Sequence, residues 1–136
     1  MMKCELCDGD GGTPIWRDGR CCVVHVQEPG YAGYCRVIWN AHVKEMTDLT
    51  EAERTHYMRV VFTLESALRD WLRPDKVNLA SLGNMTPHLH WHVIARFRDD
   101  PHFPNSAWGA PCRPAATAEK PRADFFAALA ATLSRL

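Results

Sequence analysis

Pro87-His88-Leu89-His90-Trp91-His92-Val93-Ile94-Ala95-Arg96 is the stretch on which the reading of this chain turns. Along an extended strand side chains alternate between faces, so His88, His90 and His92 share one face while Leu89, Trp91 and Val93 share the other. The apolar face has an obvious use in packing. Three imidazoles in a row put three groups that titrate near neutrality, and that can ligate metal, on one ridge. A solvated face that happens to be rich in histidine is the plainer explanation, and it leaves the regularity unaccounted for.

Outward from that stretch, Lys76 to Leu82 reads as a preceding strand, and the short connection Gly83-Asn84-Met85-Thr86-Pro87 predicts an antiparallel hairpin. Upstream, Thr50-Glu51-Ala52-Glu53 has the form of a capping box, and Tyr57, Val61, Leu64, Leu68 and Trp71 follow as an apolar stripe on a long helix that Pro74 ends. Before it lie three more strands. Ile15–Arg17 and Cys21–Val26 are joined by the turn signature Asp18-Gly19, and Tyr34–Trp39 runs into Asn40-Ala41-His42. After Arg96 comes an irregular tract from Phe97 to Pro114. From about Pro121, Phe125, Leu129, Leu133 and Leu136 mark a second amphipathic helix that begins with a tolerated proline. Strands first, one long helix, then two strands define an α+β fold: a mostly antiparallel sheet of about five strands, the long helix packed on it, and a C-terminal helix.

The 136 residues suit one domain, and 46% hydrophobic with 24% charged residues suggests neither disorder nor a coiled coil. Sixteen basic residues balance sixteen acidic ones, which removes a general electrostatic case for duplex nucleic acid or an anionic membrane. Met1 to Asp10 carries Lys3, Glu5, Asp8 and Asp10 and has no apolar core of a signal peptide, and no run is long enough to span a bilayer. A cytoplasmic protein is expected. Its six cysteines, Cys4, Cys7, Cys21, Cys22, Cys35 and Cys112, then read as reduced thiols or metal ligands.

Cys4-Glu5-Leu6-Cys7 is a knuckle from which two thiolates reach one tetrahedral Zn²⁺, and two further ligands must come from elsewhere. A redox role for the pair would want it at a helix start after a strand, and here it opens the chain before a glycine-rich loop. Two chemistries suit the histidine ridge. In one, two or three of its histidines hold a catalytic Zn²⁺ that activates water, which leaves Cys4 and Cys7 unemployed. In the other, Cys4, Cys7, His42 and an outer histidine, His88, close a structural Cys₂His₂ site, and the remaining histidines do chemistry. His90, held through one ring nitrogen, would then present the other as a nucleophile toward phosphorus, with His92, Asn84, Thr86 and backbone N–H groups as donors to the phosphate oxygens.

His88-Leu89-His90-Trp91-His92-Val93-Ile94 resembles the His-φ-His-φ-His-φ-φ signature, φ being apolar, of the histidine triad (HIT) family. The likeness runs from Cys4 to about Trp108, through the Cys pair, Pro29-Gly30 to His42, the capped helix, Asn78 and Leu82-Gly83-Asn84. Asp99-Asp100 and Trp108 resemble a bacterial branch. The resemblance implies a HIT-like domain over residues 1–110 and a C-terminal extension, 111–136, carrying the amphipathic helix. It also implies a nucleotide hydrolase or transferase, acting on nucleoside phosphoramidates or dinucleoside polyphosphates, in which His90 attacks the α-phosphate and water cleaves a nucleotidyl-histidine intermediate. His88 and His92 would orient that nucleophile and the phosphate. The same resemblance implies a structural Zn²⁺ on Cys4, Cys7, His42 and His88, no requirement for a catalytic metal, and a homodimer. Asn84, Thr86, Asn78 and Gln27 are the substrate-binding candidates. Where relatives carry an acidic or amide residue for the ribose, this chain has Val26 with Gln27 beside it, and its loop before the triad is shorter. A non-catalytic nucleotide-binding or zinc-stabilised module is the reading from another class.

Overall fold

The computed structural model describes residues 3–117 and 121–136; Met1 and Met2, from the stretch read as lacking a leader, and residues 118–120, from the expected extension, lie outside them. Five strands, β1 (Thr13–Arg17), β2 (Cys21–His25), β3 (Tyr34–Trp39), β4 (Lys76–Ala80) and β5 (His90–Arg96), form one antiparallel sheet in the order β1-β2-β3-β5-β4. Three helices accompany it: α1 (Glu5–Asp8), α2 (Glu51–Leu72) and α3 (Ala123–Leu133), with a 3₁₀ turn at Met46–Asp48. The fold is the expected α+β type.

Each element follows from local chemistry. Thr50 Oγ1 accepts the Glu53 N–H at 3.2 Å and Glu53 returns the bond to the Thr50 N–H at 2.8 Å, so the capping box starts α2. Arg73 takes a left-handed conformation and Pro74 follows, which stops it. Between β1 and β2 the Asp18 carboxylate accepts the N–H groups of Arg20 and Cys21, both at 2.8 Å, while His56 of α2 reaches its other oxygen at 2.6 Å. Pro14 is tolerated because β1 lies at a sheet edge.

Cross-strand partners share a face, which sorts the sheet into two sides. Toward α2 point Val23, Val37 and Val93, fully buried with Tyr57, Val60, Val61, Leu64 and Leu68. Tyr57 donates from inside this core to the Val37 carbonyl at 2.8 Å. Helix α3 closes the same layer with buried Phe125, Leu129 and Leu133. Trp71, expected in the α2 stripe, is 47% exposed and meets Phe125 edge-on instead, and Leu136 is also exposed.

The histidine stretch differs from expectation at its start. Strand β5 begins at His90: the Leu89 N–H donates to the Val43 carbonyl, in the segment after β3, at 2.8 Å, and the Leu89 carbonyl accepts the N–H of Trp39, the last residue of β3, at 3.1 Å. His88 therefore precedes the ladder. Strand β4 likewise stops at Ala80, two residues before Leu82.

Candidate functional site

The second side of the sheet, opposite α2, carries His90, His92, Ile94 and Arg96 of β5 with Tyr34, Arg36 and Ile38 of β3 and Asn78 and Ala80 of β4 as cross-strand partners. His88, His90 and His92 are all buried. His90 Nδ1 lies 2.6 Å from the His88 carbonyl, and because a carbonyl only accepts, Nδ1 must carry the proton. Its Nε2 lone pair is left bare. Burial pushes the His90 pKa down, and the charge of Arg36 acts in the same direction against the opposing bond to His88, so the neutral form with a free Nε2 prevails at pH 7.

His88 repeats the device in mirror sense. Its Nε2 donates to the Trp39 carbonyl at 2.6 Å, which bares Nδ1 toward the N-terminal knuckle. There Nδ1 of His88 stands 3.4 Å from Sγ of both Cys4 and Cys7 and 3.3 Å from Nδ1 of His42, and His42 Nδ1 is 3.3 Å from Cys7 Sγ. All four donor atoms lie within 4.8 Å of one another. Tetrahedral zinc with Zn–S about 2.3 Å and Zn–N about 2.0–2.1 Å puts ligands about 3.3–3.8 Å apart, so the spacing is compatible with that ion, and the Trp39 carbonyl is the outer partner that would fix His88 as a ligand. Among the described residues Asp18, Cys21 and His56 also approach one another. The 2.6 Å between His56 and Asp18 is a hydrogen bond, too short for two ligands of one tetrahedral ion.

His92 faces His90 edge-on at 4.9 Å between ring centroids, Trp108 at 4.8 Å and Tyr34 at 6.0 Å. Burial, then the charges of His90 and Arg36, lower its pKa to about 4, and its Nδ1 is buried without a hydrogen-bond partner. Trp108 is brought there by the irregular tract, whose anchor is Asp100. That carboxylate takes the Arg96 guanidinium at 2.7 and 3.1 Å and the N–H groups of Phe97, His102 and Phe103 at 2.7–3.1 Å.

The other expected substrate contacts are dispersed. Asn78 stands on the triad side, but its carboxamide oxygen accepts from Arg96 Nη1 at 2.8 Å. Gln27 lines a separate cavity of about 450 Å³ with Glu28, Pro29 and Gly30, and no triad histidine reaches it. Asn84 is exposed on the loop before the triad, and the Thr86 carbonyl accepts the His88 N–H at 2.8 Å. Two contributors escaped the sequence reading. Ser81 donates to the His90 carbonyl at 2.9 Å, and Arg36 lies across from His92 in register. Arg36 carried one signal, a lone charge inside an otherwise uncharged strand.

Fold and site together define a domain whose open sheet presents a carbonyl-locked imidazole beside a cysteine-histidine cluster. The HIT domain family model matches residues 12–99, and the chain belongs to that family. Members are in general nucleotide-binding hydrolases or transferases. A histidine triad protein from Marinobacter aquaeolei superposes with TM-score 0.76 at 24% identity, over 97% of this chain and 95% of that one. A histidine triad protein from Bradyrhizobium japonicum gives 0.72 at 24%, over 93% and 90%. A Zn-bound histidine triad family protein from Mycobacterium smegmatis gives 0.63 at 22%, over 98% and 95%. None of the curated proteins compared with the chain matches it.

Proposed function

We propose that the chain is a nucleotide phosphohydrolase or nucleotidyl transferase in which His90 Nε2 attacks an α-phosphate, with nucleoside phosphoramidates or dinucleoside polyphosphates as substrates. The observation that carries this reading is the 2.6 Å bond from His90 Nδ1 to the His88 carbonyl, which leaves a neutral, oriented nitrogen nucleophile. As the Nε2–phosphorus bond forms, the bond from phosphorus to the leaving group breaks and the leaving group takes up a proton. Water, or an acceptor hydroxyl, then breaks the phosphorus–nitrogen bond and restores His90. The Nδ1–H bond to His88 strengthens as the imidazole gains positive character, which is stabilisation specific to the transition state.

His92 supports the phosphate, and Asn84 and Thr86, on the loop entering β5, are candidates for further donors, whereas Asn78 and Gln27 are occupied or placed elsewhere. Cys4, Cys7, His42 and His88 would hold zinc, whose part is to fix the knuckle and the His88 backbone. The similar histidine triad family protein from Mycobacterium smegmatis is Zn-bound, which supports that assignment. The protein is read as a cytoplasmic homodimer, with the outer edge of β4 available for pairing.

The test is rapid quenching with an adenosine phosphoramidate followed by mass spectrometry. A nucleotidyl adduct on His90 is expected, and His90→Asn should lower turnover on the order of a thousandfold or more while the fold persists. Retained turnover in that variant overturns the assignment. Tight nucleotide binding without adduct or turnover across a broad panel would instead identify a binding module.

A further inference from the structure

Two arginines share the triad side of the sheet, and the protein treats them oppositely. Arg96 is fully employed: Asp100 neutralises it, and Asn78 and the Asn105 carbonyl take its remaining donors. Arg36 sits in β3, the central strand, and no carboxylate among the described residues comes within ion-pairing distance of it. One terminal nitrogen, Nη1, is held at 2.8 Å by the Gly11 carbonyl. Its Nε is buried and has no partner. Directly across the ladder, His92 Nδ1 is buried and partnerless as well.

Partly desolvated cations are ordinarily paired, and buried polar atoms are ordinarily bonded. A half-buried guanidinium with no counter-charge stands across the ladder from an imidazole whose buried Nδ1 has no hydrogen-bond partner. An anionic oxygen reaching both would accept from Arg36 and, in the tautomer with the proton on Nδ1, from His92, and charge-assisted bonds from a guanidinium are the strong ones. The Gly11 bond keeps the guanidinium from swinging to solvent. Gly11 has φ +72°, and a Cβ there would come within 2.8 Å of Leu6 and Ile38, so the backbone can press against β3 at this point only as glycine.

We propose that Arg36 is a phosphate-binding residue of the site, which together with His92 takes a non-bridging oxygen of the reacting phosphoryl group and selects anionic nucleotides over neutral nucleosides. This rests on the nucleotidyl-transfer reading and adds to it a donor that comes from the neighbouring strand and lies outside the triad motif. It also accounts for a fixed positive charge beside two imidazoles that must stay neutral.

The experiment is calorimetric titration of the full chain with AMP and with adenosine, in wild type, Arg36→Met, Arg36→Gln and Arg36→Lys. Loss of charge should weaken AMP binding about ten- to a hundredfold in the Met and Gln variants and leave adenosine within about twofold, with partial recovery in the Lys variant. AMP binding like wild type in Arg36→Gln, which removes the charge and keeps a polar side chain, overturns the proposal. Equal weakening of AMP and adenosine, or AMP binding unchanged in Arg36→Met with an unaltered thermal midpoint, overturns it too. If wild type forms the His90 adduct and these binding results fail, Arg36 alone is misassigned. If wild type binds no AMP at millimolar concentration and forms no adduct, the nucleotide reading falls with it.

Discussion

At the scale of single residues, the three histidines of the motif have three different surroundings. His88 donates its N–H to the Trp39 carbonyl and turns a lone pair toward the cysteines, His90 donates its N–H to the His88 carbonyl and turns a lone pair away from it, and His92 has a buried nitrogen with no hydrogen-bond partner. The division of His88 from His90 was legible, because counting donors for Cys4 and Cys7 demanded an outer histidine. The tautomers were not, since they depend on carbonyls that only the folded backbone supplies. Arg36 was illegible for a related reason: a lone charge in an apolar strand says nothing of its neighbour until register sets it beside His92. The depressed pKa of His92, about 4, has a consequence for stability. As pH falls below the ordinary 6.5, the unfolded imidazole takes up a proton and the native one does not, so stability drops until about pH 4 and is flat below. Between pH 7 and pH 5 the native state should lose about 2 kcal/mol that His92→Asn does not lose. Urea unfolding at both pH values, in both proteins, measures the difference, which also cancels any shared loss of metal. Equal losses would mean that His92 is not desolvated as described.

At the scale of elements, the knuckle Cys4–Cys7 and the loop to Gly12 lie across the sheet rather than beside it. Leu6 packs on Cys22, Val24 and Ile38, and Gly11 holds Arg36. A metal on Cys4, Cys7, His42 and His88 would thus tie two separate segments, the knuckle and the stretch after β3, to the entry of the strand that carries the nucleophile. The sequence showed the candidate donors but not this placement, because α1 has only four residues and its position comes from contacts far along the chain. Gently purified protein should contain about one zinc per chain by elemental analysis. Chelation at pH 7 should release it and lower the thermal midpoint by roughly 10 °C, the scale expected when a ligand at 100 to 1,000 times its dissociation constant is withdrawn. Metal-depleted protein that is still folded should keep nucleotidylation within about tenfold, since His90 is locked by a backbone carbonyl. Immediate loss of catalysis on depletion of the folded protein would point instead to zinc-activated water.

At the scale of the whole molecule, the succession of strands and helices, the capped helix and the hairpins were readable because each rests on local pattern: a capping box, an Asp-Gly turn, alternation. What was not readable is how far the core extends. The family match ends at residue 99, yet the buried layer under α2 continues into α3, where Phe125, Leu129 and Leu133 are each no more than 2% exposed. Trp16 on β1 donates to Ser134 at 3.1 Å, so the far end of the chain also grips the first strand. Three fully buried side chains at about 1.5–3 kcal/mol apiece amount to roughly 5–9 kcal/mol, comparable with the 5–15 kcal/mol that is typical of an entire domain. The helix should therefore behave as part of the cooperative unit. Phe125→Ala, which strips a ring packed against both Trp71 and Phe126, should cost about 3–5 kcal/mol in equilibrium unfolding, with one transition retained. A second, earlier transition confined to α3, with the sheet unfolding at its original midpoint, would show instead that the C-terminal helix is an appendage on a self-sufficient core.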